Sequence, residues 1–186
     1  MDIFTTYSVR IDRFTCIFQD TVNWYRRSVD FFIRVVLLEK EELFRLKTQT
    51  ERVNAVERLT VTTSGRPEVK YDFGKEFYKF PSYYRRAAIA EALGSVSSYL
   101  SRLETLEKED PKSRGKEPGL PKAGFTCPAL YKKGCYVRLT DYTAGIKVRV
   151  RNTWDWVTVN LRKSDADYIF RYCREQIGRA SCRERV

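Results

Sequence analysis

Two short stretches carry the residue types best suited to hold a charged polymer. In "IKVRVRN" the aliphatic Ile146, Val148 and Val150 alternate with Lys147, Arg149 and Arg151. Strand periodicity puts the three cations on one face, a ladder that could pair with successive phosphates. A solvated outer face, or charges guarding a sheet edge, would produce the same alternation. In "TWDWVTVNLRK" the residues Trp154, Trp156, Thr158 and Asn160 fall on one face and Val157, Val159 and Leu161 on the other. Outward indoles would make a stacking platform for unpaired bases. Alternatively, they would fill a contact between this strand and a neighbouring helical block.

A third candidate is "YYRR" (Tyr83–Arg86), in the first turn of an expected helix. Arginine is unfavourable there against the helix dipole, whereas a bound anion would suit Arg85, Arg86 and the free N–H groups together. The competing reading sends both guanidinium groups into water.

Catalytic chemistry has little to work with. The chain contains no histidine, which removes Ser-His and Cys-His nucleophile pairs and histidine-ligated metals. Glu39, Glu41, Glu42, Glu91, Glu104 and Glu107 are spaced like solvated helix-surface residues, and no glycine-rich phosphate loop occurs. The gaps between Cys16, Cys127, Cys135 and Cys173 do not match a CxxC-type zinc site. No catalytic residue and no metal ligand is therefore assigned.

The elements that must position these residues follow from periodicity. "TTYSVRID" alternates like a half-buried strand through Tyr7, Val9 and Ile11. From about Cys16 the apolar spacing changes to fours and threes. Phe18, Val22, Tyr25, Val29, Phe32 and Val36, extended by Leu43, predict a long amphipathic helix. Trp24, Phe31, Val35 and Leu38 form a second stripe on it. "TERVNAVERLTV" continues the helical pattern until Gly65 and Pro67 break it.

Behind Pro81 another helix is predicted, with Ser82 as N-cap and Ile89, Leu93, Val96, Leu100 and Leu103 on its core face. Its stripe of small residues, Ala87, Ala90, Gly94, Ser97 and Ser101, would admit a close backbone, either of a neighbouring helix or of nucleic acid. Asp110–Gly124 holds three Pro and three Gly and reads as an exposed linker or long loop. Then come three strands, "CYVRLT", "GIKVRVRN" and "TWDWVTVNL", with "DYTAG" as a hairpin loop, and a helix over about Asp165–Glu175. Pairing the lone first strand with the later sheet makes the helical block an insertion in a small antiparallel barrel or sheet, an α+β fold.

At 186 residues the chain is long enough for a real core. Its net charge of +11 favours a polyanionic partner, and its 14% aromatic content is interleaved with Arg and Lys. "MDIFTTYSVR" has no apolar signal region and "FFIRVVLL" is short and broken by Arg34, so a cytoplasmic protein without a membrane partner is expected. The final stretch, Ile177–Val186, "IGRASCRERV", loses all periodicity. One codon choice per residue reads ATC GGA AGA GCG TCG TGT AGG GAA AGA GTG, which resembles the start of a sequencing adapter. We expect these residues to be read-through rather than native. Without their three Arg and one Glu the net charge falls from +11 to +9.

The blocks "YSVRIDRF", "VDFFIRV", "FYKFPSYYRRAAIAEALGSVSSYLSRLE", "DPKSRGKEPGLPKAGFTCPALY" and "VRVRNTWDWVTVNLRKSDADYIFRYC" resemble the N-terminal part of OrfB/TnpB-type proteins. These are bacterial insertion-sequence products, often called transposases, that act as RNA-guided DNA endonucleases. The resemblance implies a wedge-like barrel, OB-like and incomplete at its C-terminal end, from 1–15 plus 121–176. It implies an inserted helical recognition block over 16–110, with 111–120 as linker; 177–186 stays outside the native protein on the adapter reading above. Guide RNA and target DNA become the expected partners, along with a nuclease half of the same chain that this sequence lacks. The magnesium, and often zinc, of the family belong to that half, so no cofactor is expected here. Arg85, Arg86, Lys147, Arg149 and Arg151 are the expected nucleic-acid contacts, with Trp154 and Trp156 as candidate stacking residues. The rival expectation is a complete small basic DNA-binding or structural protein without catalysis.

Overall fold

The computed structural model describes residues 9–12, 15–108, 115–131, 134–172 and 179–181. They form an α+β structure that divides into two compact units, one of Met1–Val22 with Ala129–Val186, the other of Asn23–Pro128.

The second unit is helical. Helix α1 (Cys16–Leu38) enters it from Asn23 onward, followed by α2 (Lys40–Arg45), α3 (Gln49–Thr60), the single turn α4 (Phe73–Glu76) and the long α5 (Ser82–Lys108). Tyr25, Val29, Phe32 and Val36 of α1 are buried, as the fours-and-threes spacing predicts, and so is Leu43 of α2. The second predicted stripe divides: Val35 is buried, but Leu38, the last residue of α1, is exposed. Helix α5 contributes Tyr84, Ala88, Ile89, Leu93 and Val96, and α3 contributes Val53 and Val56. Tyr25 and Tyr84 meet edge to face at 6.3 Å.

A knot of rings closes the bottom of this core. Phe73 and Phe77 stack at 4.5 Å, and Phe80 stands edge-on to both, at 5.4 and 5.8 Å. Trp24 and Phe31 of α1 lie 5.2 and 5.9 Å from Phe77. Such pairs contribute about 0.5–1.5 kcal/mol each beyond the area they bury.

Polar caps fix the helix ends. Thr48 and Glu51 form a reciprocal capping box at the start of α3, and the Asp72 carboxylate accepts from the Gly74 and Lys75 amides to start α4. Ser82 is not the N-cap of α5 but its first helical residue. The Arg85 amide already donates to the Pro81 carbonyl (2.9 Å), because the turn closed by Phe80 N–H on the Phe77 carbonyl starts the helix one residue early. The described part of the predicted linker, from Gly115 to Leu120, is mostly exposed. Beyond it the chain is fastened to α1, with Asp30 Oδ1 accepting from the Ala123 amide (2.8 Å) and Arg26 Nε donating to the Thr126 carbonyl (3.0 Å).

Where α1 passes into α2, the buried Glu39 carboxylate accepts from Lys70 Nζ and from the Tyr71 hydroxyl (2.6 Å). The hydrogen bond from Lys70, then that from Tyr71, hold its carboxyl below the usual value. A lowered folded-state value means that the stabilisation is full above the ordinary carboxylate range and is lost as pH falls through the folded value. Thermal melts between about pH 3 and pH 7 should therefore show Glu39→Gln converging on the native protein at the acid end and falling short of it near neutrality. Parallel curves across the whole range would remove Glu39 from the acid response.

The first unit holds the sheet. Strands β2 (Tyr136–Arg138), β3 (Thr143–Val150) and β4 (Thr153–Asn160) pair antiparallel in that order, and α6 (Lys163–Tyr172) follows. Ala144, Ile146, Val148 and Val159 form its buried face, and Phe18 and Val22 from the start of α1 and Ala166 from α6 are buried too. The first predicted strand, of which 9–12 are described, runs beside the end of β4. Ile11 bridges Leu161, the Asp12 amide donates to the Asn160 carbonyl (3.0 Å), and the Arg162 amide donates to the Arg10 carbonyl (2.8 Å).

The sheet does not close into the expected barrel. Closure demands tilted, staggered strands enough to bring the two edges together, and three strands plus one bridge cannot curl that far. At β3, beyond the reach of β2, the Arg149 amide instead donates to the Thr21 hydroxyl of α1 (2.9 Å).

The first hairpin turns earlier than predicted. The β2–β3 reversal falls at Leu139–Tyr142, and Thr140 and Thr143 share a hydroxyl bond of 2.7 Å across it, so Thr143 and Ala144 of "DYTAG" join Gly145 in the strand. The β3–β4 connection is the two-residue turn Arg151–Asn152. A separate ladder joins β1 (Ala129–Tyr131) to β5 (Arg179–Ser181), so three residues of the terminal stretch expected to lie outside the fold are paired.

Candidate nucleic-acid interface

The register of β3 against β4 builds the site. With Val150 opposite Thr153, Lys147 lies opposite Trp156 and Arg149 opposite Trp154. Residues directly opposite share a face and stand about 4.5–5.5 Å apart at Cβ. The cations and the indoles, read from sequence as two separate features, therefore belong to one surface. Lys147 Nζ sits 5.8 Å from the Trp156 ring centroid, within the range of a cation–π contact. Arg149 donates from Nη2 to Asn152 Oδ1 (3.3 Å).

Gly145 shapes the same face. A Cβ there would come within 2.8 Å of Val137 Cγ1 and 3.5 Å of Trp156 Cε3. The missing side chain lets the Trp156 ring lie across the sheet, with Val137 and Leu139 beside it. Trp156 retains 42% exposure and Leu139 52%, so this indole is not sealed within a contact. Sequence reading missed Gly145, Val137 and Leu139. A glycine midway along an otherwise regular strand was the signal that a close approach needed room.

Arg151 leaves the predicted ladder. It occupies the turn after β3 with a left-handed backbone, φ 56°, and two cations remain on the strand face. Arg85 and Arg86 are placed elsewhere, on α5, where both engage Glu57 of α3. Arg85 meets Glu57 Oε1 through Nε and Nη2 (3.3 Å each), and Arg86 meets Glu57 Oε2 and, at 3.1 Å, Asn54 Oδ1. Glu57 of the neighbouring helix is thus the anion that both guanidinium groups meet in this fold. Of the small-residue stripe of α5, Ala90 and Gly94 line a groove of about 390 Å³, together with Gly119, Pro121 and Lys122 of the following loop.

Among the described residues no group of three His, Cys, Asp or Glu is placed to hold a metal ion, and no helix is long and apolar enough to cross a membrane. The sheet face offers Lys147 and Arg149 to anions and the exposed Trp156 ring to planar groups.

Fold and face together define an α+β protein with a basic, aromatic sheet surface. By sequence the chain belongs to the Aq_aa04 family, whose model matches residues 5–150. It is 29% identical over 133 residues to "Uncharacterized protein aq_aa04" of Aquifex aeolicus (strain VF5), covering 64% of this chain and 71% of that protein. Neither description speaks of insertion sequences or nucleases. No solved structure matches.

Proposed function

We propose that the chain binds single-stranded nucleic acid on the outer face of the β2–β3–β4 sheet. On its resemblance to OrfB/TnpB-type proteins, it serves as the part that grips guide RNA and target DNA. The observation that carries the proposal is the shared face of Lys147, Arg149, Trp154 and Trp156. Alternate residues on a strand are about 6.8 Å apart, twice the roughly 3.4 Å rise between bases in a duplex strand. Bases on that spacing must be unstacked from one another, and their faces must be free, as in a single strand or loop. The charge of +11 would draw either form, so charge alone does not choose between them. On this reading magnesium-dependent cleavage belongs to the nuclease half of OrfB/TnpB-type proteins, to which no residue is assigned here.

Fluorescence anisotropy with matched single-stranded RNA, single-stranded DNA and duplex DNA tests the proposal across a salt series. Single strands should bind more tightly than the duplex, with indole fluorescence quenched on binding. Lys147 and Arg149 together should supply a salt slope of about −1.4, at roughly −0.7 per phosphate contact. Equal or tighter duplex binding with unquenched indoles would instead favour a plain basic DNA-binding protein.

A further inference from the structure

The helical unit exposes an aromatic residue beside its tightest cluster of rings. Phe77 and Phe80 are buried at the two ends of a tight turn, locked into the ring cluster around Phe73, and the Phe80 amide donates to the Phe77 carbonyl (3.2 Å). Between them the chain turns outward. Tyr78 is 70% exposed, and Lys79 is exposed with its Nζ 5.2 Å from the Tyr78 ring centroid.

Lys79 also holds φ at 55°, the left-handed region, at the third position of the turn. Glycine or asparagine ordinarily takes that place, because a larger side chain meets its own backbone there. The turn therefore keeps a lysine at the expense of backbone ease, beside a largely exposed aromatic ring. Strain of this kind, held by its surroundings, clusters at ligand contacts. A rigid support also means that little order need be gained when a ligand arrives.

We propose that the Tyr78–Lys79 turn is a second nucleic-acid contact, where Tyr78 stacks on an unpaired base and Lys79 pairs with the neighbouring phosphate. The inference rests on the reading that the chain binds nucleic acid, but it uses none of the sheet residues. An aromatic face with an adjacent cation fits a nucleotide on both counts. The chain's excess of positive charge makes a polyanion the partner it attracts over distance.

The full chain and its Tyr78→Ala, Tyr78→Phe and Lys79→Gly variants would be compared for binding to labelled RNA of about ten uridines, a length within one stacking platform's usual site size. Each variant would also be melted. Tyr78→Ala should weaken binding about fivefold to a hundredfold with an unchanged Tm, whereas Tyr78→Phe should bind like the native chain. Lys79→Gly should raise Tm while lowering affinity and reducing the salt slope by about 0.7. Opposite signs from one substitution are what a merely structural lysine would not give. Native affinity in both Tyr78→Ala and Lys79→Gly overturns the proposal, and so does a fall in Tm for Lys79→Gly. Failure of the native chain to bind any single strand refutes the sheet-face reading, and this one with it.

Discussion

Phe77→Ala should destabilise the helical unit by about 3–5 kcal/mol, the range for emptying an aromatic site in a packed core. The ring is 1% exposed, stacked on Phe73 at 4.5 Å and met by Trp24, Phe31 and Phe80 within 5.9 Å. Its neighbours come from α1, from the α4 turn and from the segment leading into α5, so no single movement can fill the void. Against a typical domain stability of about 5–15 kcal/mol, that is a large share. Urea denaturation followed by far-UV circular dichroism measures it as a fall in midpoint. Phe77→Leu, which leaves a smaller cavity, should lose less. A change under about 1 kcal/mol for the alanine variant would mean that the ring cluster is not the anchor described here.

The second large effect concerns binding. Trp156→Ala should weaken single-strand binding by about tenfold to a hundredfold, as expected for one stacked base. Adding Trp154→Ala should deepen the loss, though by less than an independent site would, because the two indoles serve one strand and couple. Lys147→Ala with Arg149→Ala should act differently, flattening the salt dependence by about 1.4 and weakening all sequences alike. Anisotropy titrations at several salt concentrations separate the two behaviours. All these substitutions lie on the outer face, away from Ala144, Ile146 and Val148, so melting temperatures should move little. If the tryptophan variants bind normally, the indoles serve the sheet rather than a ligand, covering Gly145 as a large ring can cover a bare strand position.

Arg85 and Arg86 need a different expectation from the one their place in sequence suggests. Both meet Glu57, and Arg85 is only half as exposed as Arg86, with side chains at 20% and 43%. Removing Glu57 would leave two cations crowded in one helical turn. In this fold the two pairs join α3 to α5.

Much of the scaffold was legible in the residues. The apolar spacing from Phe18 to Leu43 named seven positions, and all seven are buried, because helix periodicity is a local property that any interior must use. The alternation in "IKVRVRN" likewise divided β3 into an inner aliphatic and an outer cationic face. The pairing of the two hairpin strands was half legible. A two-residue connection at Arg151–Asn152 dictates that Lys147 oppose Trp156, but that length had to be recognised first, since a one-residue shift would send every side chain to the other face.

Other features were not in the sequence in any readable form. Arg86 meets Glu57 across 29 intervening steps of chain, and Glu39 gathers Lys70 and Tyr71 across 31 and 32. Nothing in residue type or spacing distinguishes those carboxylates from the solvated ones beside them. The openness of the sheet also depends on which segments find its edges. By itself, then, the sequence determined the longer helices, the three strands of the main sheet, most of the faces they bury and the positive charge, all set by contacts within a few residues. Only the tertiary structure decided which charges neutralise one another and which aromatic and basic residues share a surface, because those pairings arise when distant segments close on one core.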